Sequence, residues 1–272
     1  MNNPARTDQF LVTKEHRRFV EFCEACRRYR YIGLCYGASG VGKTLSSRVY
    51  AHWDQVAYLH SLHYNDLPAA PEILAYRTVL YTAPVNATSQ RVEREVRELQ
   101  SRFNYLLADM AFILSDAKSA RPFATVPNQM ELLIVDEADR LKTAGLEQMR
   151  DLYDRGQVGL VFIGMPGLEK RLARYPQLYS RVGFVHHFKP LSTEEMHFVL
   201  EHKWQQLDLT IDLSDFTDAE AVAAIIRITG GNFRLLQRLF GQIERVMQIN
   251  DLRYVTTEVV EAARELLVIG PA

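Results

Sequence analysis

Short apolar runs alternate along the first two thirds of the chain with stretches whose apolar residues recur every three or four positions. The runs are YIGLCY (31–36), TVLYT (78–82), the apolar part of MELLIVDEAD (130–139), VGLVFIGMP (158–166) and FVHHFKP (184–190). Each reads as a short buried strand. The stretches between them read as helices: 13–30, with Thr13 as N-cap and Phe19, Phe22 and Cys26 on one face, 44–53, and a long one over 88–115. A turn-rich connection, LHSLHYNDLPAAPEI, fills 59–73. Strands apolar throughout and alternating with helices predict a parallel sheet covered on both faces, hence a three-layer α/β domain with five strands.

At Pro190 the pattern changes to helices only. Ser192-Thr-Glu-Glu195 is a capping box, and helical patterns follow over 218–229, 232–249 and 256–267, the first two separated by Gly230-Gly231. The predicted organisation is an α/β domain over 1–189, including the N-terminal helix, and a small helical domain over 190–272. No internal repeat or low-complexity segment interrupts it.

Composition narrows the class. At 272 residues and 47% apolar content the chain can fill a real core. Its longest strongly apolar run stops at Asp136, far short of the ~18–20 residues a bilayer span needs. The N-terminus MNNPARTDQF has no apolar segment of a signal peptide, so a cytoplasmic location with no membrane contact is expected. A net charge of −1 offers no global attraction for nucleic acid, and any such contact has to come from a local basic surface. Three cysteines do not make a disulfide framework. Cys23-x-x-Cys26 with His60-x-x-His63 has zinc-like spacing, yet Phe19, Phe22, Cys23 and Cys26 fall at helical intervals and read more simply as a buried helix face.

The chemistry starts at GASGVGKTLS (37–46). Gly37-Ala38-Ser39-Gly40-Val41-Gly42-Lys43-Thr44 fits G-x-x-x-x-G-K-[ST] and lies between a predicted strand and a predicted helix, the context a phosphate-binding P-loop (Walker A) requires. Backbone N–H groups of the loop and of the helix start, through Leu45, would surround the phosphates of ATP. Lys43 would bridge the β- and γ-phosphates, and Thr44 would give its hydroxyl to Mg2+. In LLIVDEAD, Asp136 at the strand end would complete the magnesium shell. Glu137 beside it would position or deprotonate a water, which favours ATP hydrolysis over transfer to a substrate hydroxyl. A DEAD-type helicase is not expected, because it needs a second RecA-like domain and the helical segment is too small for one. Arg181, in YSRVGF, is placed to reach a neighbouring subunit's γ-phosphate, and Arg234, in GGNFRLL, to reach the phosphates from the helical domain.

Together these pieces resemble the AAA+ superfamily: Walker A, Walker B with its glutamate, an arginine before the fifth strand, and a GN-x-R sensor 2 in a helical lid. The resemblance covers about 13–267. It implies an N-terminal segment that shields the adenine, with Leu11 and Val12 in that role. One position departs from the pattern: sensor 1, a polar residue at the end of the fourth strand, is replaced by Met165, which implies slow or partner-stimulated hydrolysis. Within the superfamily, LLIVDEADRL and FIGMPGLEKRLARYPQLYSRVGFVHHF are most similar to bacterial DNA-transposition ATPases, the TniB/TnsC-like proteins and the related phage Mu B protein. That likeness implies a homo-oligomer (a ring, spiral or filament with hexameric repeat) on double-stranded DNA, and partnership with a transposase and a target-site adaptor protein.

Residues for DNA are less sharply marked. Arg91, Arg94, Arg97 and Arg102 line the long helix, with Lys118 and Arg121 beyond it. Such cations could track phosphates without reading bases. Glu93, Glu95 and Glu98 interleave with them, and i,i+4 pairs such as Glu93–Arg97 and Glu98–Arg102 belong equally to a solvated helix. A second basic group, Arg27, Arg28 and Arg30, is an oligomer edge, a DNA contact or a helix end. The alternative functions are a replication initiator or helicase loader, and a signalling or secretion NTPase with protein partners only.

Overall fold

A computed structural model describes residues 10–86, 88–115, 126–207 and 209–267 of the chain. Its contacts divide into two compact units. One comprises Arg18–Gly37 and Lys43–Phe188. The other takes in Ala38–Gly42 and the chain from Lys189 on, together with the segment that ends at Arg17.

The first unit is built on a five-stranded parallel sheet: β1 (Ile32–Tyr36), β2 (Thr78–Thr82), β3 (Leu132–Asp136), β4 (Gly159–Gly164) and β5 (Val182–His187), in the order β2-β3-β4-β1-β5. The fold is the α/β fold expected. β3 and β4 are buried along their whole length, as strands must be when helices cover both faces. β5, at one edge of the sheet, alternates instead between half-buried and exposed positions. Parallel pairing brings the carboxyl ends together: Thr82 is opposite Asp136 and Tyr36 is opposite Gly164. In open α/β sheets that edge is where ligands sit.

The helices of this unit are α1 (Lys14–Tyr29) from Arg18 on, α2 (Lys43–Tyr50), α3 (Trp53–His60), α4 (Ser89–Leu114), α5 (Thr143–Gly156), α6 (Leu168–Leu172) and α7 (Pro176–Tyr179). Phe103, Met110, Leu133, Val135, Leu160 and Phe162 belong to the core they share with the sheet. Cys23 and Cys26 are fully buried on α1. Burial raises both thiols, Cys26 to about 12, so they serve as small apolar groups. The helix expected over 44–53 is in fact two. The chain turns left-handed at His52 (φ 49°), whose ring stacks on Tyr76 at 4.3 Å, and α3 restarts at Trp53. No described helix is long and apolar enough to cross a membrane.

His60, at the end of α3, gives this unit an acid sensitivity. Its Nε2 is buried without a hydrogen-bond partner. Burial and then the nearby Arg102 guanidinium pull its pKa from 6.5 to about 4. The unfolded chain therefore takes up a proton first as the pH falls, and the stability conferred by neutral His60 is complete above 6.5 and lost between 6.5 and about 4. The midpoint of thermal unfolding should drop across that window and drop less steeply in His60→Phe. An unchanged slope in the variant would place the acid sensitivity elsewhere.

The second unit contains α8 (Thr193–Gln206), α9 (Phe216–Thr229), α10 (Phe233–Ile249) and α11 (Thr257–Glu265). Trp204 packs on Phe240 with ring centroids 5.4 Å apart, in a core with Val199, Leu239, Ile243 and Val260. The capping box forms as the sequence predicts: Ser192 accepts from Glu195 N, and Glu195 accepts from Ser192 N. Glu195 also accepts from the backbone of Glu15, and Glu15 in turn accepts from Lys189 N, which fixes the segment before Arg17 within this unit.

Candidate nucleotide site

The Walker A loop leaves β1 at Gly37, whose N–H donates to the Gly164 carbonyl at the end of β4, and closes at Lys43, the first residue of α2. Gly40 and Gly42 adopt positive φ (81° and 111°), the left-handed backbone that lets a chain curl round an anion and that favours glycine. Lys43 reaches back to the Gly37 carbonyl at 2.6 Å. Burial holds its ammonium below the ordinary lysine value, while Cys35, Asp136, Glu137 and Asp139 oppose that shift. An ammonium surrounded by acids and half-withdrawn from water is a strong partner for a polyphosphate.

Asp136 ends β3 almost fully buried. Its Oδ2 accepts from the Thr44 hydroxyl at 2.7 Å, and its Oδ1 accepts from Glu137 N at 2.9 Å. This hydroxyl and carboxylate are hard oxygen donors of the kind magnesium takes, leaving its other positions to water and phosphate. Glu137 is left-handed (φ 55°) at the head of a 3-10 turn, Ala138–Arg140. Its carboxylate lies 3.4 Å from the Arg140 guanidinium, which also donates to the Ala83 carbonyl after β2. Asp139 turns to the end of β4 and accepts from Met165 N at 2.7 Å. The DEADR sequence contained Asp139 and Arg140 as charges at a strand end. What it did not contain was the turn that aims them, because the left-handed residue is a glutamate and not a glycine.

In the unit that includes Ala38–Gly42, Asn232 caps α10 through Leu235 N and donates its Nδ2 to the Ser39 carbonyl at 2.8 Å. Arg234 donates Nη1 to Ser39 Oγ at 3.1 Å, and its backbone N–H donates to the Gly40 carbonyl at 2.9 Å. A Cβ on Gly40 would lie 2.5 Å from Asn232 Oδ1, so glycine is required there by contact as well as by φ. Arg234 therefore meets the Walker loop at Ser39 and Gly40, and Asn232 joins it through a capping role the sequence had marked only as a helix start. Leu11 packs on the helical core, whereas Val12 is largely exposed.

Arg181 lies just before β5, and its backbone pairs with the start of β1, at the amino ends of the strands. Its Nε donates to Asp154 at 2.6 Å and its Nη1 to the Gln177 carbonyl, while Asp154 also receives Arg150. On α4, Arg97 is paired with Glu93 and Arg91 with Glu95, as a solvated helix would have them, and Arg94 is exposed. In place of the expected pairing with Glu98, Arg102 gives its guanidinium to the His60 carbonyl. Lys118 and Arg121 lie outside the described residues.

With this geometry in place, the chain can be set beside known proteins. An AAA domain model matches residues 26–172, from α1 through α6. The chain belongs to the AAA domain family. A Staphylococcus aureus protein described as a potential ATP-binding protein is 45% identical over 270 residues, which cover 97% of this chain and 98% of that one. Among solved structures, the RuvB Holliday junction branch migration motor of Thermotoga maritima is similar with a TM-score of 0.57 at 18% identity, over 96% of this chain and 71% of its own. Cdc6p from Pyrobaculum aerophilum is similar with a TM-score of 0.61 at 16% identity, over 99% and 71%. At such identities the likeness is one of fold. The AAA domain match includes the Walker loop, Asp136, Glu137 and Met165, and stops before Arg181 and Arg234.

Proposed function

We propose that this AAA domain protein binds and hydrolyses ATP, and that ATP binding switches its assembly on double-stranded DNA, where it selects a target and recruits a transposase. The observation that carries the nucleotide half is the convergence of Lys43, Thr44, Asp136 and Glu137 at the carboxyl end of the sheet. Lys43 binds the β- and γ-phosphates, and Thr44 and Asp136 hold magnesium, which when bound neutralises phosphate charge. Glu137 accepts a proton from the attacking water, with its backbone held by the bond from its N–H to Asp136. Arg234 and Asn232 report on the loop through Ser39. Arg181 acts on a neighbouring subunit's γ-phosphate, with its guanidinium oriented through Asp154.

The DNA half rests on the resemblance of 132–141 and 162–188 to the transposition ATPases, with Arg94 and Arg97 among the exposed α4 cations and Lys118 and Arg121 as further contacts. The deciding experiment is negative-stain electron microscopy of purified protein with double-stranded DNA, in a slowly hydrolysed ATP analogue and in ADP. Filaments or stacked rings on DNA in the analogue alone are expected. Absence of DNA-dependent assembly in both states would favour an NTPase with protein partners only.

A further inference from the structure

The end of β4 carries no polar side chain, since Gly164 is followed by exposed Met165. A carboxylate from elsewhere in the chain stands at that place. Asp139 Oδ2 accepts the Met165 N–H at 2.7 Å, and its carboxylate fills the volume a side chain on Gly164 would need, with its atoms 2.5–2.9 Å from an ideal Cβ. Any other residue at 164 would push the carboxylate out. The turn that carries Asp139 is fastened again by Arg171 on α6, whose Nη1 donates to the Asp139 carbonyl at 2.7 Å and whose Nη2 donates to the Leu141 carbonyl. Glu137, at the head of the same turn, is in a left-handed conformation that is unfavourable for a non-glycine residue and persists only where its surroundings enforce it. Asp139 is thus the link between the residue proposed to activate water and the tip of the neighbouring strand.

We infer that Asp139 is a positioning residue for ATP hydrolysis: from the Walker B turn it supplies the polar anchor at the end of β4 that the side chain at 165 cannot. It acts through the Met165 N–H and the backbone of Glu137, keeping both in one geometry so that the water meets the γ-phosphate in line. This inference rests on the ATPase reading above. A misplacement of about 1 Å at a reacting centre can cost on the order of a hundredfold in rate, so losing the anchor should show in kcat. The Thr44–Asp136 pair is held by its own hydrogen bond, and Lys43 keeps the charges of Asp136 and Glu137 beside it, so KM should change little.

The test compares steady-state ATP turnover of Asp139→Ala, Asp139→Asn, Glu137→Gln and the double variant Asp139→Ala/Met165→Asn with that of the wild-type chain. Asp139→Ala is expected to lower kcat by at least about tenfold with KM within about threefold of wild type. Asparagine keeps an acceptor oxygen for Met165 N–H and should restore most of the rate. The double variant returns a polar side chain to the β4 tip and should regain about fivefold over Asp139→Ala, a response that a merely structural aspartate would not give. Wild-type kcat in Asp139→Ala, equal losses in the alanine and asparagine proteins, or a loss confined to KM would overturn the inference. Should the alanine protein not fold, Gly164→Ala, which displaces the carboxylate without removing it, takes its place with the same expected drop, and a wild-type rate there overturns the inference. Absence of ATP turnover by the wild-type chain would sink the ATPase reading itself, whereas wild-type turnover by Glu137→Gln would take Glu137 out of the reaction and the positioning role of Asp139 with it. An inactive Glu137→Gln beside a fully active Asp139→Ala sinks only the role of Asp139.

Discussion

ATP affinity is expected to fall by at least about a hundredfold in Lys43→Ala, roughly 3 kcal/mol, the scale of one or two charge-assisted hydrogen bonds to phosphate. Two effects add. The ammonium that meets the triphosphate is lost, and Asp136, Glu137 and Asp139, whose charges Lys43 offsets, are left facing an incoming polyanion. The fold should survive. Lys43 is the first residue of α2, which alanine favours, and its bond to the Gly37 carbonyl is one contact in a loop also held by Gly37 N to Gly164 O. Titration calorimetry with a slowly hydrolysed analogue, beside a thermal unfolding curve, separates binding from stability. An unchanged fold with weakened binding places the phosphates at Lys43. Affinity within about threefold of wild type would move the nucleotide away from this loop, because no bound triphosphate there could ignore the charge.

The same residues show why some of the site was legible in sequence and some was not. The Walker loop is local: glycines at 40 and 42 supply the positive φ, and strand and helix periodicity on either side place it. Asp136 is likewise local, because a strand that is apolar up to its last residue leaves its acid at the carboxyl edge of the sheet. The layered fold and the strand count follow from the alternation of patterns. Order in the sheet does not, since periodicity carries no information on which strands neighbour each other. The parts that were missed depend on that order. Asp139 can reach Met165 only because β3 and β4 are adjacent. The break at His52 was hidden for a different reason: a histidine there gives no glycine-like signal of left-handed backbone. The bond from Arg102 to the carbonyl of His60 joins α4 to a helix distant in sequence, a contact that i,i+4 spacing along one helix cannot reveal.

Glu137→Gln should reduce ATP turnover by about a hundredfold to a thousandfold, within the range for removing a general base, while leaving ATP affinity close to wild type. Glutamine has nearly the same shape as glutamate and gains no penalty at φ 55° that glutamate does not already carry. Asp136 still receives the backbone N–H of residue 137, so the Thr44–Asp136 pair that would hold magnesium stays in place. What changes is the ability to take a proton, together with the ion pair to Arg140. If nucleotide state governs assembly, blocking hydrolysis at unchanged binding must lengthen the life of the ATP-bound assembly, so complexes formed on DNA with ordinary ATP should persist as the wild-type ones do only with the slow analogue. The measurement is dissociation from labelled DNA after dilution, run in parallel with phosphate release. Lost phosphate release with unaltered dissociation would keep Glu137 in catalysis and uncouple hydrolysis from disassembly. Retained phosphate release would take Glu137 out of the reaction, leaving Asp139 as the remaining acid of the Walker B turn within the field of Lys43.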